Sequence, residues 1–94
     1  MNRPSQLTKL IWDFYRENQK ELRSLKILNK CKVFRSWGVL HIRCFSEEIA
    51  AGVLSNRDLL VEPVAQLRLA NKIKISVKKR AIATFPVHSD KLFA

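Results

Sequence analysis

Apolar and polar side chains alternate without a break from Lys72 to Val77. Successive side chains of a strand point to opposite faces, so this period predicts a strand with one buried face. Ile73, Ile75 and Val77 turn inward. Lys72, Lys74 and Lys78 turn outward onto one surface, with Lys79 and Arg80 directly behind them. A second alternating region lies upstream, where residues 31–37 and 39–45 predict a hairpin around Trp37-Gly38. Gly38 supplies the positive φ that a tight turn needs. Like faces must oppose each other across such a ladder. This sets Ser36 opposite Val39, Arg35 opposite Leu40, Val33 opposite Ile42 and Cys31 opposite Cys44. The inward face is then Cys31, Val33, Leu40, Ile42 and Cys44, and the outward face carries Lys32, Phe34, His41 and Arg43. A register slipped by one residue sets lysines against the apolar set and is rejected.

Helical periodicity occupies much of the remainder. Leu7, Leu10, Ile11, Phe14, Leu22, Leu25 and Leu28 recur at helical spacing, with Ser5 or Thr8 as the cap. Asn18 falls in the middle of that face: either it is a satisfied buried amide, or the helix breaks there into two. Ser46-Glu47-Glu48 opens the next helix, a capping serine followed by two acids favourable to the helix dipole. Ile49, Ala50, Val53 and Leu54 face inward from it. Pro63 cannot donate a backbone bond, so it is expected as the first residue of a further short helix over 63–70 that Asn71 ends. Val64, Leu67 and Leu69 are partly buried in that helix. Residues 81–94 either extend the last strand, pack on the domain or form a tail. The expected fold is α+β and two-layered, in the order helix-strand-strand-helix-strand, with a three-stranded sheet and its helices on one face. The domain is expected to span 1–80, with 81–94 as a C-terminal extension.

Length and charge sharpen this picture. Ninety-four residues make one domain with a modest core, and an apolar fraction of 47% suits a globular chain. Eighteen Lys and Arg stand against 8 Asp and Glu, giving +10. Between Pro63 and Ser89 there is no acidic residue, so nothing nearby in the chain neutralises the lysines of the strand. A sheet face carrying Lys32, Arg43, Lys72, Lys74, Lys78, Lys79 and Arg80 favours a polyanion. Phe34 and His41 among those cations suit single-stranded nucleic acid, whose bases stack while its phosphates pair. The bland alternative is a solvated face, or edge strands carrying lysine against aggregation.

Catalysis finds little support. Gly38 and Gly52 are the only glycines, so no phosphate-binding loop exists. Cys31, His41, Cys44 and His88 lack metal-ligand spacing. The hairpin register turns His41 away from both cysteines, which argues against a shared metal and against a Cys–His nucleophile. Glu47 and Glu48 are explained by the helix start. No cofactor is expected. Two cysteines make no disulfide framework, no apolar run is long enough to span a membrane, and the N-terminus has no secretory apolar core, so a reducing cytoplasm is expected.

Two further features concern partners. Trp12 lies about 130° around the first helix from the centre of its apolar stripe. It either packs under the C-terminal tail or anchors a protein partner. Leu92 and Phe93 either fold back near Trp12 or form a docking motif. The rival to nucleic-acid binding is therefore a protein–protein adaptor or homodimer whose contacts are Trp12, Leu92 and Phe93.

The element order, together with Leu10-Ile11-Trp12, the run Gly38-Val39-Leu40-His41-Ile42, Ser46 opening a helix and Lys72-Ile73-Lys74-Ile75 closing the domain, resembles the N-terminal domain of the bacterial replication initiator DnaA. It is similar also to the small-domain part of the helicase operator DciA. The resemblance covers about residues 7–78. It implies a KH-like fold, weak single-stranded DNA contact, self-association, and docking to the replicative helicase or its regulators in bacterial DNA replication. Trp12 matches the tryptophan of the initiator's first helix, which belongs to a self-association surface. The terminal Leu92-Phe93 faintly resembles the short motif by which bacterial proteins dock on the sliding clamp.

Overall fold

The N-terminal helical region divides where Asn18 interrupts its apolar stripe. The computed structural model describes residues 5–87. Helix α1 (Gln6–Phe14) is followed by α2 (Gln19–Ser24), and a 3₁₀ helix (Leu25–Lys30) continues from it. Asn18 is exposed and stands at the N-terminal boundary of α2. Of the two candidate caps, Ser5 takes the role: its Oγ accepts from the Thr8 backbone N–H at 3.1 Å, while Thr8 is buried.

The buried face of α1 is rolled away from the leucine stripe. Ile11 and Tyr15 are buried, whereas Leu10 and Phe14 stay 38% and 37% exposed. Two polar tips explain the roll. The Trp12 indole N–H donates to the Leu25 carbonyl at 2.8 Å, and the Tyr15 hydroxyl donates to the Leu59 carbonyl at 2.6 Å. Amphipathic rings bury well when the polar end finds a partner, so both aromatics displace aliphatic side chains from the core side.

Strands β1 (Cys31–Ser36) and β2 (Val39–Cys44) form the expected hairpin, in the expected register at every pair from Cys31–Cys44 to Ser36–Val39. Cys31 and Cys44 are free thiols in direct cross-strand contact, Sγ to Sγ 3.7 Å. Cys31 donates that contact, which together with burial pushes its thiol pKa up, while the same hydrogen bond lowers that of Cys44.

Ser46 caps α3 (Glu47–Ser55) through its Oγ, which accepts from the Ile49 N–H at 3.2 Å. Helix α4 (Arg57–Gln66) corrects the expectation for Pro63, which lies inside the helix and is buried. A proline in a helix interior leaves the carbonyl four residues earlier without its helical donor. That carbonyl belongs to Leu59, the one that accepts the Tyr15 hydroxyl. The tyrosine of α1 thus supplies the hydrogen bond that Pro63 cannot.

This coupling gives a testable pair. Tyr15→Phe should lower stability by about 1–3 kcal/mol, the range for a buried acceptor left unpaired. Pro63→Ala in that background restores an N–H to Leu59 and should recover part of the loss in urea denaturation; a further loss would show the two sites to be uncoupled. The tyrosine also carries a pH signature. Burial, and then the charges of Glu62 and Glu21, push its pKa from the ordinary 10.0 up to about 12. The unfolded chain therefore releases this proton first. The associated stability is intact below pH 10.0 and is lost as pH rises toward about 12. Alkaline melts of Tyr15→Phe should lack that component.

Strand β3 (Lys72–Val77) lies parallel to β2, and β4 (Arg80–Pro86) returns antiparallel to β3, giving the order β1-β2-β3-β4. The sheet is mixed and four-stranded rather than three-stranded, and β4 brings residues 81–86 into it, the strand alternative for that segment. Ile82 is skipped where the register shifts between Ile75 and Ser76, so the chain bulges there and loses strict alternation. Helices cover one sheet face. Val33, Leu40, Ile42, Ile73, Ile75 and Val77 meet Ile11, Leu25, Leu28, Val53, Leu60 and Val64 in one core.

Candidate nucleic-acid interface

The strand registers place every outward residue on a grid. The row nearest the β1–β2 turn reads Ser36, Val39, Lys72, Pro86; the middle row reads Phe34, His41, Lys74, Thr84; the third reads Lys32, Arg43, Ser76, Ala81. Rows two residues apart lie about 6.5 Å apart along the strands, and neighbouring strands about 4.8 Å apart. Lys32, Arg43, Lys72 and Lys74 therefore surround one aromatic pair.

That pair is ordered. The Phe34 and His41 rings stack with centroids 4.7 Å apart and planes 6° from parallel. The Arg43 guanidinium lies 4.9 Å from the Phe34 centroid, and the Lys32 ammonium 6.0 Å. Cations placed over ring faces are held electrostatically and keep their charge at the surface. Strand pairing puts Phe34 opposite His41, and His41 beside Lys74, so backbone hydrogen bonds position the whole group.

The electrostatics follow from where the acids are. No Asp or Glu occurs from residue 22 to 46 or from 64 to 89, so all four strands and both hairpin turns are free of them. The Asp13–Arg16 ion pair at 3.8 Å and the Glu47–Arg80 ion pair at 2.6 Å both lie away from the open face.

The remaining expected residues lie elsewhere. Lys78 and Lys79 are the two turn residues between β3 and β4, with φ of 50° and 69°. The strand ends at Val77, so the alternation that pointed Lys78 outward no longer applies. Arg80 stands opposite Val77 on the helix side and reaches the Glu47 carboxylate. These three cations sit at the end of the sheet, off the face that holds the other four. Trp12 lies in the helical layer, half-buried, with the Lys26 ammonium 4.4 Å from its ring. Leu92 and Phe93 lie outside the described residues. His41 points away from Cys31 and Cys44, and among the described residues no group of three or more His, Cys, Asp or Glu is placed to hold a metal.

One residue escaped the sequence reading. Trp37, read there only as part of a turn, is 98% exposed. The signal was available: a side chain on a two-residue hairpin turn projects past the end of the sheet, beyond the reach of either face.

No family model, no curated protein and no solved structure matches this chain. Among the described residues no helix is long and apolar enough to cross a membrane.

Proposed function

We propose that this protein is a non-catalytic binding module for single-stranded nucleic acid, held on the uncovered sheet face. The observation that carries the reading is the acid-free sheet, whose outward grid sets Lys32, Arg43, Lys72 and Lys74 around the Phe34–His41 stack. Phosphates pair with the cations, and bases stack at the aromatic pair, a combination that tolerates any sequence. A merely solvated lysine face needs no ordered aromatic pair between its cations.

Of the three residues that carry the protein-adaptor reading, Leu92 and Phe93 lie outside the described residues and Trp12 lies in the helical layer. Its indole is hydrogen-bonded within the chain and half-buried, so the open face is favoured. The link to bacterial DNA replication, with the replicative helicase or a regulator as protein partner, enters through the resemblance to the initiator's N-terminal domain. So does the KH-like reading of residues 7–78, in which the β1–β2 hairpin, the α3–α4 pair and parallel β3 follow one another.

The test is a titration of labelled single-stranded oligonucleotide across salt concentrations. Four phosphate contacts predict a slope of log affinity against log salt of about −3. Changing Lys72 and Lys74 to Glu should weaken binding at least about tenfold and flatten the slope, since each lost contact removes about 0.7 from it. Equal affinity of the double variant and wild type would sink the reading.

A further inference from the structure

Trp37 is the residue whose placement the fold does least to explain. It has φ +54°, a left-handed conformation that bulky L-residues rarely adopt, and it is 98% exposed. The chain therefore bears backbone strain to hold a large apolar ring in water. An Asn at this position ahead of Gly38 (φ +74°) would suit the turn far better. Strain of this kind, at a side chain that contributes almost no burial, marks a position serving something outside the fold.

The surroundings define the chemistry of what it serves. The loop between α4 and β3 is tied to this tip: the Asn71 N–H donates to the Gly38 carbonyl at 2.8 Å, and Arg35 Nη1 donates to the Leu69 carbonyl at 3.1 Å. Lys72, at the start of β3, stands beside Val39, the first residue past the turn. Trp37 thus stands among segments carrying Arg35, Arg68 and Lys72, with no acid in any of them. Phe34 lies three residues earlier on the same hairpin, about 10 Å away at the strand rise. A strand of a few nucleotides lying along the face spans that distance.

We propose that Trp37 is a base-stacking residue at which single-stranded nucleic acid, bound on the open face, passes over the tip of the β1–β2 hairpin. This rests on the binding role proposed for the face and names the residue that distinguishes single strands from duplex there. In a duplex both faces of each base are occupied by neighbours, so an indole stacks only on a base that is free.

The experiment combines intrinsic tryptophan fluorescence with anisotropy of a labelled oligothymidylate. Binding should quench wild-type fluorescence, and Trp37→Ala should abolish the quench that Trp37 contributes. Stacking on one base predicts a loss of affinity of roughly 5- to 150-fold in that variant, with Trp37→Phe recovering part of it. Binding to a duplex of the same length should change little. Thermal melts establish that the variants are folded. If Trp37→Ala binds the oligonucleotide as wild type does, while reversal of Lys72 and Lys74 still weakens binding at least about tenfold, the tip inference is overturned and the face reading stands. If wild type binds no oligonucleotide, both fall. If phosphatidylserine vesicles, and not the oligonucleotide, alter Trp37 fluorescence, the tip is a lipid contact and the inference is overturned.

Discussion

Ile75→Ala is expected to lower the melting temperature by roughly 10–30 °C, whereas Ile82→Ala shifts it by only a few degrees. Ile75 lies at the centre of the core face, between Ile42 on β2 and Ala83 on β4, and is 0% exposed. Truncating a fully buried isoleucine costs about 2–5 kcal/mol, because the transfer free energy is lost and a cavity remains. At about 4–8 °C per kcal/mol for a chain of this size, that gives the predicted shift. A domain of this kind has a net stability of only about 5–10 kcal/mol, so the variant retains little margin. Ile82, in the bulge and 40% exposed, has far less contact to lose. Similar melting losses for the two variants would mean that β3 is not the buried centre of the sheet.

The contrast between Ile75 and Ile82 also shows what the sequence makes legible. Period-two alternation in 31–36, 39–44 and 72–77 encodes both the strands and their faces, and demanding like faces across the hairpin was enough to determine the register. The same rule groups Lys32, Phe34, His41, Arg43, Lys72 and Lys74 onto one surface, where the strand registers also place them. Strand β4 was not legible as a strand because its bulge sets Ala81, Ile82 and Ala83 side by side, which destroys the alternation. Pro63 misled because its usual place is a helix start. Its tolerance inside α4 depends on the hydroxyl of Tyr15, a residue 48 positions earlier in the numbering. No local rule reads a contact of that range. The roll of α1 has the same origin, since hydropathy patterns count leucines and do not register that Trp12 and Tyr15 have acceptors waiting for them. Lys78 was misplaced for a different reason: alternation predicts direction only while the strand lasts, and β3 stops one residue earlier.

The second large effect has the opposite sign. Changing Lys78 to Asn and Lys79 to Gly should raise stability by about 1–2 kcal/mol and the melting temperature by roughly 5–15 °C. Val77 pairs with Arg80, so the β3–β4 connection has only two residues, and both have positive φ. A two-residue turn of this hand matches the right-handed twist of the strands, and Asn-Gly is the sequence that adopts it with least strain. A left-handed backbone at a residue with a Cβ costs about 1–2 kcal/mol. Two lysines thus occupy positions where nearly any Asn or Gly would fold better, just as Trp37 does at the opposite end of the sheet. Both strained turns belong to the sheet that lacks acids, and both display groups that suit nucleic acid. If the lysines touch phosphate beyond the open face, the Asn-Gly variant will melt higher yet bind single strands more weakly, and its salt slope will be shallower by about 0.7 per lost contact. If it melts higher and binds unchanged, the turn lysines are bystanders and the binding surface ends with the row of Lys32 and Arg43. A variant that melts no higher than wild type would show that the turn is not strained.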